Sequence, residues 1–308
     1  MSLLDHVGRT PLVPLRRIAA GLPVPVLVKC EHLNPTGSVK DRLARALVDD
    51  LEAKGQLRPG GTLIEATAGN TGLGLALVAA IRGYRLVCVM PEKMSDDKRR
   101  ALVAAGADLI VTPNAPPTSP ENFQNVARRL ASERGWVLTD QFESPANTRI
   151  HETTTGPEIL AAAPDLSAFV AGAGTGGTLT GVGRFLRAHR PDARIVLADP
   201  VGSGLAGWVR DGVLGPDAAY KIEGIGASRV PGNLDRTVID AAESVTDDES
   251  FAMARRLHRE EGLLVGGSSG TAVVAALRIA ARLRPGDGPV VALAGDGWDR
   301  YRSREWMA

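Results

Sequence analysis

The sequence has few aromatic residues, no excess of either charge and no long apolar run. Aromatic side chains make up 4% of the 308 residues, and the formal net charge is +1. Proteins that bind nucleic acid or an anionic membrane surface present clustered positive charge, so this composition predicts neither partner. No apolar run reaches the length of a membrane-spanning helix. The hydrophobic fraction of 44% is typical of a globular protein.

Cysteine and histidine are also scarce. Cys30 and Cys88 lie far apart in apolar runs, which predicts buried thiols and no disulfide framework. The histidines lack the spacing of metal ligands, so we predict no metal site and no catalytic histidine; they are His6, His32, His151, His189 and His258. Residues 1–6 do not form the pattern of a secretory signal peptide. Together these features predict a cytoplasmic protein.

Short apolar runs alternate with helical patterns along most of the chain, which predicts parallel, doubly wound sheets. The predicted strands are 24–31, 62–66, 85–90, 108–112, 136–139, 166–172, 194–199 and 289–294. The predicted helices are 38–54, 71–82, 95–105, a segment ending at 134, 178–189, 247–261 and 269–283. The pattern breaks at 144–147, where we predict a boundary between two lobes. Residues 200–246 are rich in glycine and are predicted to be irregular.

Residues 31–42 are the most informative stretch, because they join a predicted strand to a predicted helix. Asn34-Pro35 and Gly37 favour a turn, and Ser38 can cap the helix that follows. Lys40 then falls in the first helical turn, where the positive end of the helix dipole disfavours a cation. A neutral amine is what a Schiff-base lysine needs. A lone lysine on a helix is more often an ordinary surface residue, so the surrounding motifs must decide.

A first glycine-containing loop, Thr67-Ala68-Gly69-Asn70-Thr71-Gly72, joins a predicted strand to a predicted helix. Free backbone N–H groups at a helix N-terminus attract an anion. The alternative is a tight turn in which Asn70 caps the helix.

Residues 172–178 form a second loop of this kind. Gly172, Gly174 and Gly177 satisfy the dinucleotide pattern G-x-G-x-x-G, and Asp199 follows about twenty residues later at a strand end. The same glycines can close backbone N–H groups around a phosphate, with Thr175 adding a hydroxyl. On this evidence a nicotinamide nucleotide and the phosphate of pyridoxal 5′-phosphate (PLP) are about equally favoured. The segment around Lys40, which a dehydrogenase does not explain, favours PLP.

The segment 31–42 closely resembles the cofactor-lysine segment of the cysteine synthase and cystathionine β-synthase family. The resemblance runs from residues 8–12 to residues 306–307. The family's enzymes have the PLP fold type II, also found in the tryptophan synthase β subunit, with two lobes that each hold a mostly parallel sheet flanked by helices. The resemblance implies a large cofactor-anchoring domain, 1–40 with 146–308, and a small mobile substrate-binding domain, 41–145. It also implies a homodimer.

The resemblance implies a role for each matching residue. Lys40 forms a Schiff base with PLP, Asn70 binds the 3′-oxygen and Ser268 the pyridine nitrogen, where an N-cap serine would be the structural alternative. The implied phosphate ligands are Gly174, Thr175, Gly176, Gly177 and Thr178. The implied substrate-binding residues are Thr67, Ala68, Gly69, Thr71, Gln141 and Gly224. Many members have serine where this chain has Ala68, so the donor preference of those members does not carry over directly.

The implied activity is β-replacement on a serine-type amino acid: O-acetylserine, serine or O-phosphoserine. Lys40 acts as the general base at Cα, a leaving group departs from Cβ, and a nucleophile adds there. A sulfur nucleophile would give cysteine or cystathionine. Three alternatives remain open at this point: an amine nucleophile in specialised biosynthesis, a nicotinamide-nucleotide dehydrogenase, and a catalytically silent binding protein.

Overall fold

A computed structural model describes residues 1–67 and 69–307. The chain forms two compact units, each with its own sheet. Unit 1 comprises residues 1–7 and 34–146, and unit 2 comprises residues 8–33 and those from 147 onward. The resemblance implied a division after residue 40, whereas the units divide after residues 7, 33 and 146. The physical reason is that the helix beginning at Lys40 packs against the following helix of unit 1.

The strands and helices follow the predicted alternation. The strands are β1 Leu12–Pro14, β2 Val26–Cys30, β3 Thr62–Ala66, β4 Arg85–Pro91, β5 Asp108–Thr112, β6 Val137–Leu138, β7 Ala168–Ala171, β8 Arg194–Pro200, β9 Ala241–Val245 and β10 Val290–Ala294. The helices are α1 Lys40–Ala53, α2 Asn70–Arg82, α3 Asp96–Ala104, α4 Phe123–Arg134, α5 Ala146–Ile150, α6 Gly156–Ala162, α7 Gly177–His189, α8 Leu205–Asp211, α9 Asp247–Arg256 and α10 Gly267–Ala280. A π-helical turn, His151–Thr155, joins α5 to α6.

The sheet of unit 1 has the order β5-β4-β3-β6, and all its pairs are parallel. The two central strands are apolar because helices cover both faces of a parallel sheet. Alternate residues of β3 belong to different cores: Leu63 packs with α1 and α2, and Ile64 packs with α4. The carboxyl end of β3 leads directly into residues 67–69 and α2.

The sheet of unit 2 has the order β1-β2-β10-β7-β8-β9, in which only β1 pairs antiparallel among the described strands. Successive residues of β7 again serve opposite faces, since Val170 lies in one hydrophobic cluster and Phe169 in the other. The carboxyl end of β7 leads into residues 172–176 and α7, and that of β10 lies near the start of α10.

Two elements lie where the sequence predicted irregular structure. Helix α8 and strand β9 fall within residues 200–246. Strand β9 has the sequence Ala-Ala-Glu-Ser-Val, which lacks a strong β-branched pattern, and it forms the edge of the sheet through parallel pairing with β8. Its stability comes from that partner rather than from its own residues. Among the described residues no helix is both long and apolar enough to cross a membrane.

Both cysteines are buried and free, as predicted. Burial raises the pKa of the Cys30 thiol to about 12 and that of the Cys88 thiol to about 12. Both thiols are therefore neutral near pH 7 and behave as small apolar side chains.

Candidate active site

The turn before α1 is fixed by its own polar groups. Gly37 has a φ of 84°, and its N–H donates to the carbonyl of Asn34 at 2.7 Å. The Asp41 carboxylate accepts from the backbone N–H of Thr36 at 2.6 Å and also from the Thr36 hydroxyl. The turn predicted at residues 34–37 is thus present, and it sets the point at which α1 begins.

Lys40 is the first residue of α1, and it is half-buried. The residue that precedes the helix is Val39, so the prediction that Ser38 is the N-cap was wrong by one position. The Ser38 hydroxyl still serves the helix start, because its Oγ accepts from the Lys40 backbone N–H at 3.2 Å. Lys40 therefore lies where the helix dipole is positive, as the sequence predicted.

The loop before α2 depends on Gly69. Its φ of 149° lies in a region that other residues rarely adopt, and its N–H donates to Thr67 Oγ1 at 3.2 Å. Gly69 is also the N-cap, and Asn70 is the first helical residue, so the alternative in which Asn70 caps the helix is wrong. Ala68 lies outside the described residues.

Helix α2 approaches the start of α1 closely within unit 1. A Cβ atom added at Gly74 would lie 3.0 Å from the carbonyl oxygen of Lys40. The absence of a side chain at this position lets the backbones of the two helices come together. The first turn of α2, which holds Asn70 and Thr71, is thereby held near the helix start that holds Lys40.

A buried hydrogen-bond network lies beneath the first turn of α2. The Thr71 hydroxyl donates to Gln141 Oε1 at 2.6 Å. The Gln141 amide nitrogen donates to the Ala66 carbonyl at 3.2 Å and to Glu65 Oε1 at 3.3 Å. Because these two acceptors fix which end of the amide carries the nitrogen, Oε1 must face Thr71. The structure therefore brings together Gln141 and Thr71, two residues predicted to bind substrate.

Sequence reasoning gave Glu65 no role, yet this carboxyl group is central to the network. It is 1% exposed and also accepts from the Thr139 hydroxyl and the Gln141 backbone N–H. Burial raises the pKa of the Glu65 carboxyl to about 7, and the charge of neighbouring Asp140 also raises this pKa. The hydrogen bonds that Thr139 and Gln141 donate to the carboxyl act in the opposite direction and lower it. Only its position two residues before Thr67 could have suggested a functional role.

The loop at residues 172–176 in unit 2 is shaped by close backbone contacts. A Cβ atom at Gly174 would overlap the carbonyl of Gly224, and one at Gly176 would lie 2.7 Å from the backbone nitrogen of Leu234. Gly176 also has a φ of 86°. The loop ends at Gly177, the first residue of α7, whose N-terminal backbone N–H groups have no partners within the helix. Unpartnered N–H groups at a helix start can attract an anion.

Two buried side chains support this loop from behind, and sequence reasoning assigned neither a role. Asn147 donates to the Thr175 hydroxyl at 2.9 Å, and the ring of His151 lies 3.1 Å from the Thr178 hydroxyl. No spacing rule could have found them, because their partners lie about thirty residues away in the sequence.

Ser268 is the second residue of α10 and is half-buried. The N-cap of this helix is Gly266, and α10 has no side-chain cap, so the alternative role of Ser268 as an N-cap is wrong. A Cβ atom at Gly295, just beyond β10, would lie 3.9 Å from Ser268 Oγ. The hydroxyl therefore lies at the carboxyl edge of the unit 2 sheet, where ligands of such sheets bind.

Asp199 does not serve as the ribose ligand of a dinucleotide site. It is 0% exposed, and its carboxylate accepts from the Ala206 backbone N–H at 2.7 Å. Burial raises its pKa to about 6. Its role is to hold the loop between β8 and α8. Within the part of the chain that the structure describes, no group of three His, Cys, Asp or Glu side chains could hold a metal ion.

The chain is similar in sequence and in fold to several known enzymes. A sequence model described as pyridoxal-phosphate dependent enzyme matches residues 3–295. The cysteine synthase of Staphylococcus aureus is 42% identical over 304 residues, which cover 98% of this chain and 95% of that protein. The crystal structure of an O-ureido-L-serine synthase has a TM-score of 0.92 and 42% identity, with 99% of this chain and 94% of that chain covered.

An O-acetylserine-dependent cystathionine β-synthase from Helicobacter pylori has a TM-score of 0.91 and 37% identity, with 100% of this chain and 99% of that chain covered. These likenesses confirm the predicted fold class, in which each lobe holds a mostly parallel sheet flanked by helices. They also remove the dehydrogenase alternative, which the buried Asp199 already disfavours.

Proposed function

The chain belongs to the family of pyridoxal-phosphate-dependent enzymes, and from that premise we propose that it catalyses β-replacement on a serine-type amino acid. The nucleophile that we favour is a sulfur compound, so that the product is cysteine or cystathionine. The observation that carries this proposal is the nearly full-length likeness to a cysteine synthase, in a chain that places Lys40 at the first turn of α1.

The glycine-lined loop before α7 fits the phosphate of PLP. Its backbone packs so closely against Gly224 and Leu234 that only glycine fits at Gly174 and Gly176, and the N-terminus of α7 supplies N–H donors for an anion. Thr175 and Thr178 add hydroxyl groups. When bound, PLP supplies an electron-withdrawing ring that stabilises negative charge at the substrate Cα.

Lys40 is the residue that would bind the cofactor, and its Nζ would take the proton from Cα and later return it. Ser268 would accept or donate one hydrogen bond at the pyridine nitrogen. A hydroxyl does not force that nitrogen to carry a proton, as a carboxylate would, so elimination from Cβ competes well with other fates of the substrate.

Unit 1 would bind the substrate carboxylate through the first turn of α2. The N-terminal N–H groups of this helix attract an anion, and the hydroxyls of Thr67 and Thr71 lie on the same turn or just before it. Asn70 would contact the 3′-oxygen of the cofactor. We thus propose a substrate-binding role for unit 1 and a phosphate-binding role for unit 2.

A second candidate function is β-replacement with a nucleophile that is not a sulfur compound. The likeness to an O-ureido-L-serine synthase favours it, because that product carries a ureido group on the serine oxygen. The sequence alternative of an amine nucleophile belongs to the same group of reactions.

The experiment that separates these functions uses the purified protein with PLP. O-Acetylserine, serine and O-phosphoserine are each offered with sulfide, homocysteine, hydroxyurea or a simple amine, and products are identified by mass spectrometry. We expect cysteine or cystathionine from at least one donor. A ureido or amine adduct as the main product would favour the second candidate, and no adduct from any pair would contradict both.

A further inference from the structure

The segment formed by α5 and the following π-helical turn lies directly behind the loop at residues 174–178. Asn147, His151 and the loop all belong to unit 2. Asn147 is 0% exposed and His151 is 1% exposed, and the two lie one helical turn apart on the segment. Each side chain meets one threonine hydroxyl of the loop. The segment therefore offers two buried polar groups at the rear of the proposed phosphate site.

The bond between Asn147 and Thr175 has a defined direction. The amide nitrogen of Asn147 donates to Thr175 Oγ1 at 2.9 Å. Since the hydrogen in this bond comes from the amide, the hydroxyl hydrogen of Thr175 is left for an acceptor elsewhere. A Cβ atom at Gly177 would overlap the Asn147 side chain, so glycine at this position is what allows the contact.

The ring of His151 is held from both sides. Its Nε2 lies 3.1 Å from Thr178 Oγ1, and its Nδ1 lies 2.9 Å from Thr155 Oγ1. A Cβ atom at Gly181 would lie 2.8 Å from the His151 Cβ, so a bulkier residue there would displace the ring. If Nε2 carries the hydrogen, it donates to Thr178 and leaves the hydroxyl hydrogen of Thr178 for another acceptor. If Nδ1 alone carries it, Thr178 must donate to the ring.

We propose that Asn147 and His151 are positioning residues, which supply hydrogens from behind so that Thr175 and Thr178 donate theirs to the phosphate of PLP. This inference rests on the proposed function. A threonine hydroxyl that accepts a hydrogen bond from Asn147 or His151 keeps its own hydrogen for another acceptor. Both hydroxyls can therefore donate to the anion that the N–H groups at the start of α7 attract. The proposal requires the Nε2–H form of His151, with its Nδ1 accepting from the hydroxyl of Thr155.

The test measures PLP binding to apo-protein and the ³¹P NMR signal of the bound phosphate, for Asn147→Ala and His151→Leu. Each variant should weaken PLP binding about tenfold or more and shift the phosphate signal, because a donor to a charged acceptor is lost or misdirected. His151→Gln, which retains an N–H donor, should recover part of the affinity. The matched control is Thr148→Val, on the same segment, whose hydroxyl contacts Asn233 at 3.4 Å and not the loop.

A measurement on the unsubstituted protein keeps the test independent of folding defects. ¹⁵N NMR of the holo-protein should show a hydrogen on Nε2 of His151. A hydrogen on Nδ1 alone would overturn the proposal, as would unchanged PLP affinity and phosphate signal in both variants or losses equal to those in Thr148→Val. Failure of the proposed function looks different, because the wild-type protein would then bind PLP but give no β-replacement product from any donor and nucleophile.

Discussion

Thr71 carries its hydroxyl hydrogen toward Gln141 in this structure, and the orientation of the Gln141 amide is fixed by the Ala66 carbonyl. A substrate carboxylate that binds to the Thr71 hydroxyl must therefore take that hydrogen from Gln141. Replacing the hydrogen bond to Gln141 by one to the carboxylate is favourable, because a charged acceptor forms a stronger hydrogen bond than an amide oxygen does. The hydrogen bond between Thr71 and Gln141 holds both side chains in one orientation, which would position the proposed carboxylate site in advance.

Thr71→Val removes this donor while it keeps the shape of the side chain. We expect donor amino acid to bind about ten- to a hundredfold more weakly, since a hydrogen bond to a charged group contributes roughly 1.5–3 kcal/mol. PLP binding should be unchanged, and Thr71→Ser should behave like the wild type. The measurement is a donor titration followed by the visible spectrum of the cofactor. A Thr71→Val curve that matches the wild type would place the carboxylate elsewhere.

Glu65 makes the stability of the protein depend on pH. Its folded-state pKa is raised from 4.5 to about 7, so between these values the folded state holds a proton that the unfolded state has lost. Stability should therefore fall as pH rises from about 4.5 to 7. The expected loss is on the order of 3 kcal/mol at 1.36 kcal/mol per pKa unit. Glu65→Gln removes the ionisation and should remove this part of the pH dependence.

Urea unfolding of both proteins across this range provides the check. The difference in unfolding free energy between wild type and Glu65→Gln should shift in favour of the variant as pH rises, and should level off above pH 7. A constant difference across the range would show that burial does not raise the pKa of this carboxyl. Cys88 remains neutral in this range, because burial and the nearby Glu65 charge raise the pKa of its thiol to about 12.

The loop before α7 is an element whose backbone form depends on glycine. Gly176→Ala should destabilise the protein by more than the strain of a positive φ at alanine, because the added Cβ would also lie 2.6 Å from the Cβ of Leu234. Gly262→Ala is the matched control, since Gly262 has a φ of 69° and nothing within 4 Å of its added Cβ. We expect about 1–2 kcal/mol of destabilisation for the control. Gly176→Ala should destabilise the protein more than Gly262→Ala does, and it should also weaken PLP binding. Urea unfolding and a PLP titration measure the two effects. Equal destabilisation and equal PLP affinity in the two variants would contradict this prediction.

Elements with strong local patterns could be predicted from the sequence. Strands β3 and β5 have the predicted bounds, because each is a short, largely apolar run between turns. Strand β9 and helix α8 could not be predicted, since their apolar faces are too short to give a periodic signal. The same limit applies to side-chain partners: the contact between Asn147 and Thr175 joins residues that only the fold brings together.

The chain forms two units, and Lys40 lies in unit 1, whereas the resemblance implied that residues 1–40 belong to the large domain. The motifs around Lys40, Gly69 and Gly174 were visible because each is continuous in the chain and lies at a strand-to-helix or helix-start junction. The division after residue 33 was not visible, because it depends on the packing of α1 against α2. The residues of each motif were therefore easier to predict than the unit to which each motif belongs.

We propose that Lys40 binds PLP, and chemical trapping of the Schiff base can test this assignment. The protein is incubated with PLP, treated with sodium borohydride to make a Schiff base permanent, digested, and sequenced by mass spectrometry. We expect a pyridoxyl label on Lys40 alone among the lysines, and no label at any position in Lys40→Ala. An unlabelled wild-type protein, or a label carried by another lysine such as the buried Lys29, would contradict it.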